Sequence, residues 1–141
     1  MRYLGLDLGS KTLGVAISDK TGLIASNYKT IRHNEDYDGL VGEVQKIVQA
    51  LEIDAVVLGF PKNMNNTIGY KGELSLEFQK KLEEVLPIPI YLQDERLTTK
   101  IATDVLIQGN VSRKNRKKVV DSVAATVILQ SYLDRSEKNE K

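Results

Sequence analysis

The sequence predicts one α/β domain built on a mixed sheet, three antiparallel strands followed by parallel strands, flanked by helices. Three observations predict it. Two short apolar runs at the N-terminus are joined by a glycine-bearing turn, as in a β-hairpin. A continuous apolar run, Ala55 to Phe60, lies between two segments of helical period, as a strand buried on both faces does. The length, 141 residues, suits one core and hardly two, and no repeat or linker divides the chain.

Taken in order, Tyr3 to Leu8 and Leu13 to Ile17 are the hairpin strands, turning through Gly9, Ser10, Lys11 and Thr12. Asp19-Lys20-Thr21-Gly22 makes a second turn, and Leu23 to Arg32 supplies the third strand. From Asp36, the spacing of Leu40, Val41, Val44, Ile47, Val48 and Leu51 predicts an amphipathic helix, weakened in its first turns by Gly39 and Gly42. After the Ala55 to Phe60 strand, Pro61 and residues 62–72 read as a loop, followed by a helix from Glu73 to Leu86 that Pro87 ends. Ile88 to Leu92 is the last strand. A third helix is expected over Lys100 to Gln108 and a fourth, strongly periodic, over Val119 to Tyr132. The domain spans residues 1–135, with a polar tail at 136–141.

Composition narrows the function classes. There is no cysteine, which removes disulfides, thiolate catalysis and cysteine-ligated zinc and suits a cytoplasmic setting. No apolar stretch is long enough to cross a bilayer, so no membrane partner is expected. With 20 Lys plus Arg against 19 Asp plus Glu, the net charge of +1 gives no global sign of nucleic-acid binding. Local clustering does, because Arg113, Lys114, Arg116, Lys117 and Lys118 follow the loop residues Gly109, Asn110 and Ser112.

The acids carry the chemistry. Asp7 stands in an apolar strand, a costly place for a carboxylate without compensation, and Gly5 and Gly9 leave the space beside it free of Cβ atoms. A metal ion, a phosphate or both suit that space, since Lys11 and the backbone N–H groups of the turn also favour an anion. In the predicted topology Asp7, Glu95 at the end of the last strand and Asp121 in the first turn of the last helix meet at one sheet edge. Close carboxylates repel unless a divalent cation joins them, which points to Mg²⁺ or Mn²⁺, one or two ions. Lone acids have blander uses: Asp94 and Glu95 alternate sides if the strand persists, and Asp121 suits a helix start. His33, the one histidine, lies in a polar turn and is given no catalytic role.

The motifs Gly5-Leu6-Asp7-Leu8-Gly9-Ser10-Lys11, Val57-Leu58-Gly59-Phe60-Pro61, Asp94-Glu95-Arg96-Leu97-Thr98-Thr99 and Asp121-Ser122-Val123-Ala124-Ala125 occur in this order over nearly the whole chain. Together they resemble the YqgF family, also called RuvX-like. The resemblance implies a ribonuclease-H-like fold, related to the RuvC resolvases, and a nuclease that trims the 5′ end of pre-16S ribosomal RNA or resolves branched DNA. It implies that Asp7, Glu95 and Asp121 are catalytic and metal-binding. A water activated at the ions then attacks phosphorus in line, leaving a 5′ phosphate and a 3′ hydroxyl. Lys11, Lys62, Arg96, Arg113, Lys114, Arg116 and Lys117 are the expected contacts to the substrate backbone, on pre-rRNA, in ribosomal precursor particles, or on a DNA junction. Monomer and homodimer are both open. Such nucleases commonly use a fourth carboxylate, for which Asp19, Asp94 and Asp104 are the nearest candidates. Two rivals stand beside this reading: an ATP-binding module of the actin and sugar-kinase type, and a non-catalytic nucleic-acid-binding protein.

Overall fold

Alternation along the first strand sets the two faces of the sheet. In the computed structural model, which describes residues 1–9, 11–60, 69–94 and 123–135, β1 (Tyr3–Leu8) pairs antiparallel with β2 (Thr12–Ser18). β2 in turn pairs antiparallel with β3 (Ala25–Arg32), with a bulge between Val15 and Ala16. The chain then forms helix α1 (Tyr37–Ala50), strand β4 (Ala55–Phe60), helix α2 (Tyr70–Val85), strand β5 (Ile90–Asp94) and helix α3 over residues 123–135. β4 lies parallel to β1 and β5 parallel to β4, giving the order β3-β2-β1-β4-β5. This is the mixed sheet that the sequence predicts.

One face is built from large aliphatic side chains. Leu4, Leu6, Leu13, Val15, Val56, Leu58 and Ile90 pack there against Leu40, Val44 and Ile47 of α1 and Phe78 and Leu82 of α2, all buried. The other face carries small residues and a second, smaller core, in which Ala16 and Val57 meet Ala125, Ile128, Leu129 and Leu133 of α3. Gly5 is what allows this contact to be close. A Cβ there would stand 2.7 Å from the Leu129 Cβ and 3.2 Å from the Ala125 carbonyl oxygen.

Several boundaries move for identifiable reasons. β3 begins at Ala25, not Leu23, because the Asp19 carboxylate accepts the N–H groups of Leu23 (3.0 Å) and Ile24 (3.2 Å) and holds them in the turn. β5 starts after Pro89, which has no N–H to offer; its carbonyl receives the Val56 N–H at 3.0 Å, and the paired strand then runs on to Asp94. α2 begins at Tyr70, so residues 70–72 are helical where the sequence suggested loop, with the Gly69 carbonyl accepting from Glu73 N–H. Gly39 in α1 faces the Asp36 carboxylate that caps the helix, and a Cβ would come within 2.5 Å of it, so this glycine belongs to the cap. The helix expected over 100–108 and the first residues of the one expected from 119 lie outside the described residues. Among the described residues no helix is long and apolar enough to cross a membrane.

Candidate active site

Asp7 belongs to the small-residue face, one position before the end of β1. Cross-strand register explains why its surroundings are open to a visitor. On the β2 side Asp7 stands opposite Gly14. On the β4 side Leu6 pairs with Leu58, so the next position sets Gly59 beside Asp7. With Gly5 and Gly9 two residues away along β1, four Cβ-free positions surround one half-buried carboxylate. Neighbouring strand side chains therefore do not fill the space next to it, which is what a cation or a phosphate needs in order to approach.

The parallel strands end at the same edge. Gly59 pairs with Gln93 and Phe60 with Asp94, so Gln93 shares the alternation of Asp7, and Asp94 falls on the opposite one. Glu95 follows Asp94 directly in the sequence. Gln93 is buried, and its Oε1 accepts from Arg135 Nη1 at 3.4 Å, which ties β5 to α3 on this face. α3 crosses the same face, with Tyr132 beside Tyr3 (ring centroids 5.8 Å apart) and stacked on Tyr91 (5.5 Å), then Leu129 and Ala125 over Gly5. Its Gln130 side chain donates to Leu23 O and accepts from Ala25 N–H, both at 2.9 Å, fixing the helix against the β2–β3 turn. Going back along the helix from Tyr132 through Leu129 to Ala125 thus goes forward along β1 from Tyr3 toward Asp7. Asp121 stands in sequence two residues before the first described residue of that helix.

Of the acids and bases singled out in the sequence, Asp7 and Lys11 are described, Lys11 exposed in the turn after β1. Glu95, Asp121, Lys62, Arg96, Arg113, Lys114, Arg116 and Lys117 lie outside the described residues, as does Asp104. Asp19 is removed as a fourth acid. It follows Ser18 at the other end of β2, and its carboxylate accepts from the Thr21 hydroxyl and from two backbone N–H groups. Led by the Thr21 contact, these donors lower its pKa from 3.8 to about 2. Sequence reasoning saw Gly5 and Gly9 around Asp7 but missed Gly14 and Gly59, since only the strand register reveals them.

Sheet order and site edge define a ribonuclease-H-like fold. Over 97% of both chains the structure matches that of Thermus thermophilus RuvC with a TM-score of 0.58 at 16% identity. The same protein solved in complex with a Holliday junction substrate matches with a TM-score of 0.61 at 17% identity, over 97% of this chain and 96% of that one. The family described as "RuvX: Holliday junction resolvase" matches residues 1–135, and the chain belongs to it. A Bacillus subtilis (strain 168) relative is 52% identical over 135 residues, covering 95% of this chain and 98% of its own length. One from Clostridium botulinum (strain Alaska E43 / Type E3) is 50% identical over 139 residues, covering 98% of this chain and all of its own. Both carry the name "Putative pre-16S rRNA nuclease". Family membership places this chain among the nucleases, as the resemblance in its motifs implied.

Proposed function

We propose that the chain hydrolyses phosphodiester bonds in structured RNA with the help of a divalent cation, and that its task is 5′-end processing of pre-16S ribosomal RNA in the cytoplasm. The observation that carries this reading is the setting of Asp7: a half-buried carboxylate among Cβ-free positions at the edge where β1, β4 and β5 all end. The high identity to relatives named for pre-16S ribosomal RNA favours the RNA substrate.

The donor chemistry fits Mg²⁺ or Mn²⁺, since carboxylate oxygen is a hard ligand. Asp7 supplies one such group. Among the described residues no cluster of three His, Cys, Asp or Glu side chains forms a metal site, and Asp7's expected companions, Glu95 and Asp121, lie outside them. A bound cation supplies charge neutralisation at the reacting phosphate and lowers the pKa of a water. The chain's own part is to hold Asp7 on a central strand, and the reading assigns Glu95, next in sequence after β5, and Asp121, two residues before the described part of α3, as its partners. Lys11, exposed in the turn just past Asp7, meets the substrate backbone as a point charge in this reading, which assigns the same role to Lys62, Arg96 and the Arg113 to Lys118 cluster from their charge in the sequence.

The test is cleavage of a labelled pre-16S RNA 5′ leader and of a four-way DNA junction by the purified protein with Mg²⁺. The expected outcome is cutting of the leader, abolished by chelation and reduced on the order of a hundredfold or more in Asp7→Asn. The family description favours one second reading, a Holliday junction resolvase, and preferential cutting of the junction would establish that in its place. Binding of both polymers with cleavage of neither would sink the nuclease reading.

A further inference from the structure

His33 follows β3 in a segment whose neighbours, Asn34, Glu35 and Asp36, are all polar, yet it is 6% exposed, the one titratable side chain among the buried polar residues described. Its ring has two defined partners. The Glu35 backbone N–H donates to Nδ1 at 2.9 Å, so Nδ1 carries no proton. The proton of the neutral ring is therefore on Nε2, which donates to the Gly9 carbonyl at 2.9 Å. The backbone of His33 joins the same two neighbourhoods: its N–H donates to Lys11 O at 2.9 Å, and its carbonyl accepts from Asp36 N–H at 2.8 Å, at the cap of α1. Tyr37 packs on the ring at 5.1 Å between centroids.

Both contacts on the strand side fall on the turn that follows Asp7. The β1–β4 ladder runs from Tyr3/Ala55 to Leu6/Leu58, whereas β1–β2 pairing continues to Leu8/Leu13. Past Leu6, β1 pairs with β2 as far as Leu8/Leu13, the Gly9 N–H donates to Thr12 O at 2.8 Å, and the imidazole adds a bond at the Gly9 carbonyl. The backbone around His33 is unusual in a way that fits this duty. Asn34 (φ 47°) and Glu35 (φ 67°) are consecutive non-glycine residues in the left-handed region, a costly conformation that delivers the Glu35 N–H to Nδ1.

We propose that His33 is a positioning residue for the active-site turn: its neutral Nε2–H imidazole clamps the Gly9 carbonyl, beside the backbone bond from its own N–H to Lys11 O, and so fixes the end of β1 that carries Asp7. The proposal rests on the nuclease reading for its effect on rate, but its structural core does not. An apolar replacement would leave the Gly9 carbonyl and the Glu35 N–H without their protein partners in a part-buried setting. A glutamine offers an acceptor and a donor on one planar group.

The experiment has two arms. Nitrogen-15 NMR of the wild-type ring is expected to find Nε2 protonated and Nδ1 bare; the opposite tautomer would overturn the clamp whether or not the protein cleaves RNA. In the second arm, His33→Leu and His33→Gln are compared by amide exchange at Gly9 and by kinetics. His33→Leu is expected to speed Gly9 exchange, to lower kcat by on the order of ten- to a hundredfold and to raise the Mg²⁺ needed for half activity, with substrate affinity in chelator unchanged. His33→Gln is expected to recover most of the rate. Should His33→Leu fail to fold, the tautomer and the glutamine variant still decide. Unchanged Gly9 exchange and kcat in a folded His33→Leu, or no recovery in a folded His33→Gln, would refute the proposal.

Discussion

The two faces of the sheet obey different rules although the same strands build both. On the face under α1 and α2, Leu4, Leu6, Leu13, Val15, Val56 and Leu58 are fully buried and interlock with two helices. On the face under α3, the alternate positions of the same strands are Gly5, Asp7, Gly14, Ala16, Val57 and Gly59. Large side chains give stability through buried area, while small ones give up that area and leave room for a close helix and for a ligand. One face holds the main core, and the other packs α3 closely over Gly5, Ala16 and Val57 and leaves the space beside Asp7 to a ligand. Stability and activity should therefore separate by face, even between adjacent residues.

The largest stability effect is expected on the aliphatic face. Phe78→Ala empties a site that is 1% exposed at the centre of the main core, and should cost about 3–5 kcal/mol by chemical denaturation. Cleavage per folded molecule should be kept. If activity fell as steeply as stability, the faces would not be independent.

A smaller stability loss with a larger functional one is expected from Gly5→Ala. The new Cβ meets Leu129 and the Ala125 carbonyl at short range, so α3 must shift, at about 1–3 kcal/mol. Because α3 follows Asp121 in the chain, the cleavage rate of the folded variant should drop too. A variant with full activity and lowered stability would detach α3 from the site.

The smallest effect concerns Asp19, the acid at the far end of the sheet, and depends on pH. Its pKa lies near 2 when folded against 3.8 ordinarily. A group depressed in this way contributes stability that is fully present above its ordinary value and is lost as pH falls toward the folded one. Wild type should therefore be slightly more stable than Asp19→Asn at neutral pH, with the gap closing between pH about 4 and about 2. A constant gap in urea midpoints across that range would contradict the assignment. Cleavage should be unaffected, in contrast to Asp7.

Much of this division was legible in the sequence. The period-two hairpin, the apolar β4 run and the three- and four-residue spacing of α1 declared their elements because burial imposes those periods directly. Asp7 stood out because an acid in an apolar strand is costly unless compensated. Less legible were features that depend on which strands lie side by side. Gly14 and Gly59 are ordinary glycines until the register sets them next to Asp7. His33 sits among polar residues and gave no periodic signal; its burial follows from the path of the chain between β3 and α1. The alternation of Asp94 and Glu95 was legible, but the bounds of β5 were not: it begins at Ile90, two residues later than the apolar run from Ile88 suggests, because Pro89 lacks the N–H a ladder needs.

The most direct measurement sets Leu6→Ala beside Asp7→Asn, neighbours in β1 on opposite faces, and reads unfolding free energy and metal-dependent cleavage for both. Leu6→Ala is expected to lose about 2–5 kcal/mol and keep its rate per folded molecule, while Asp7→Asn keeps its stability and loses its rate. Loss of both properties in both variants, or an active Asp7→Asn, would contradict the division between the faces.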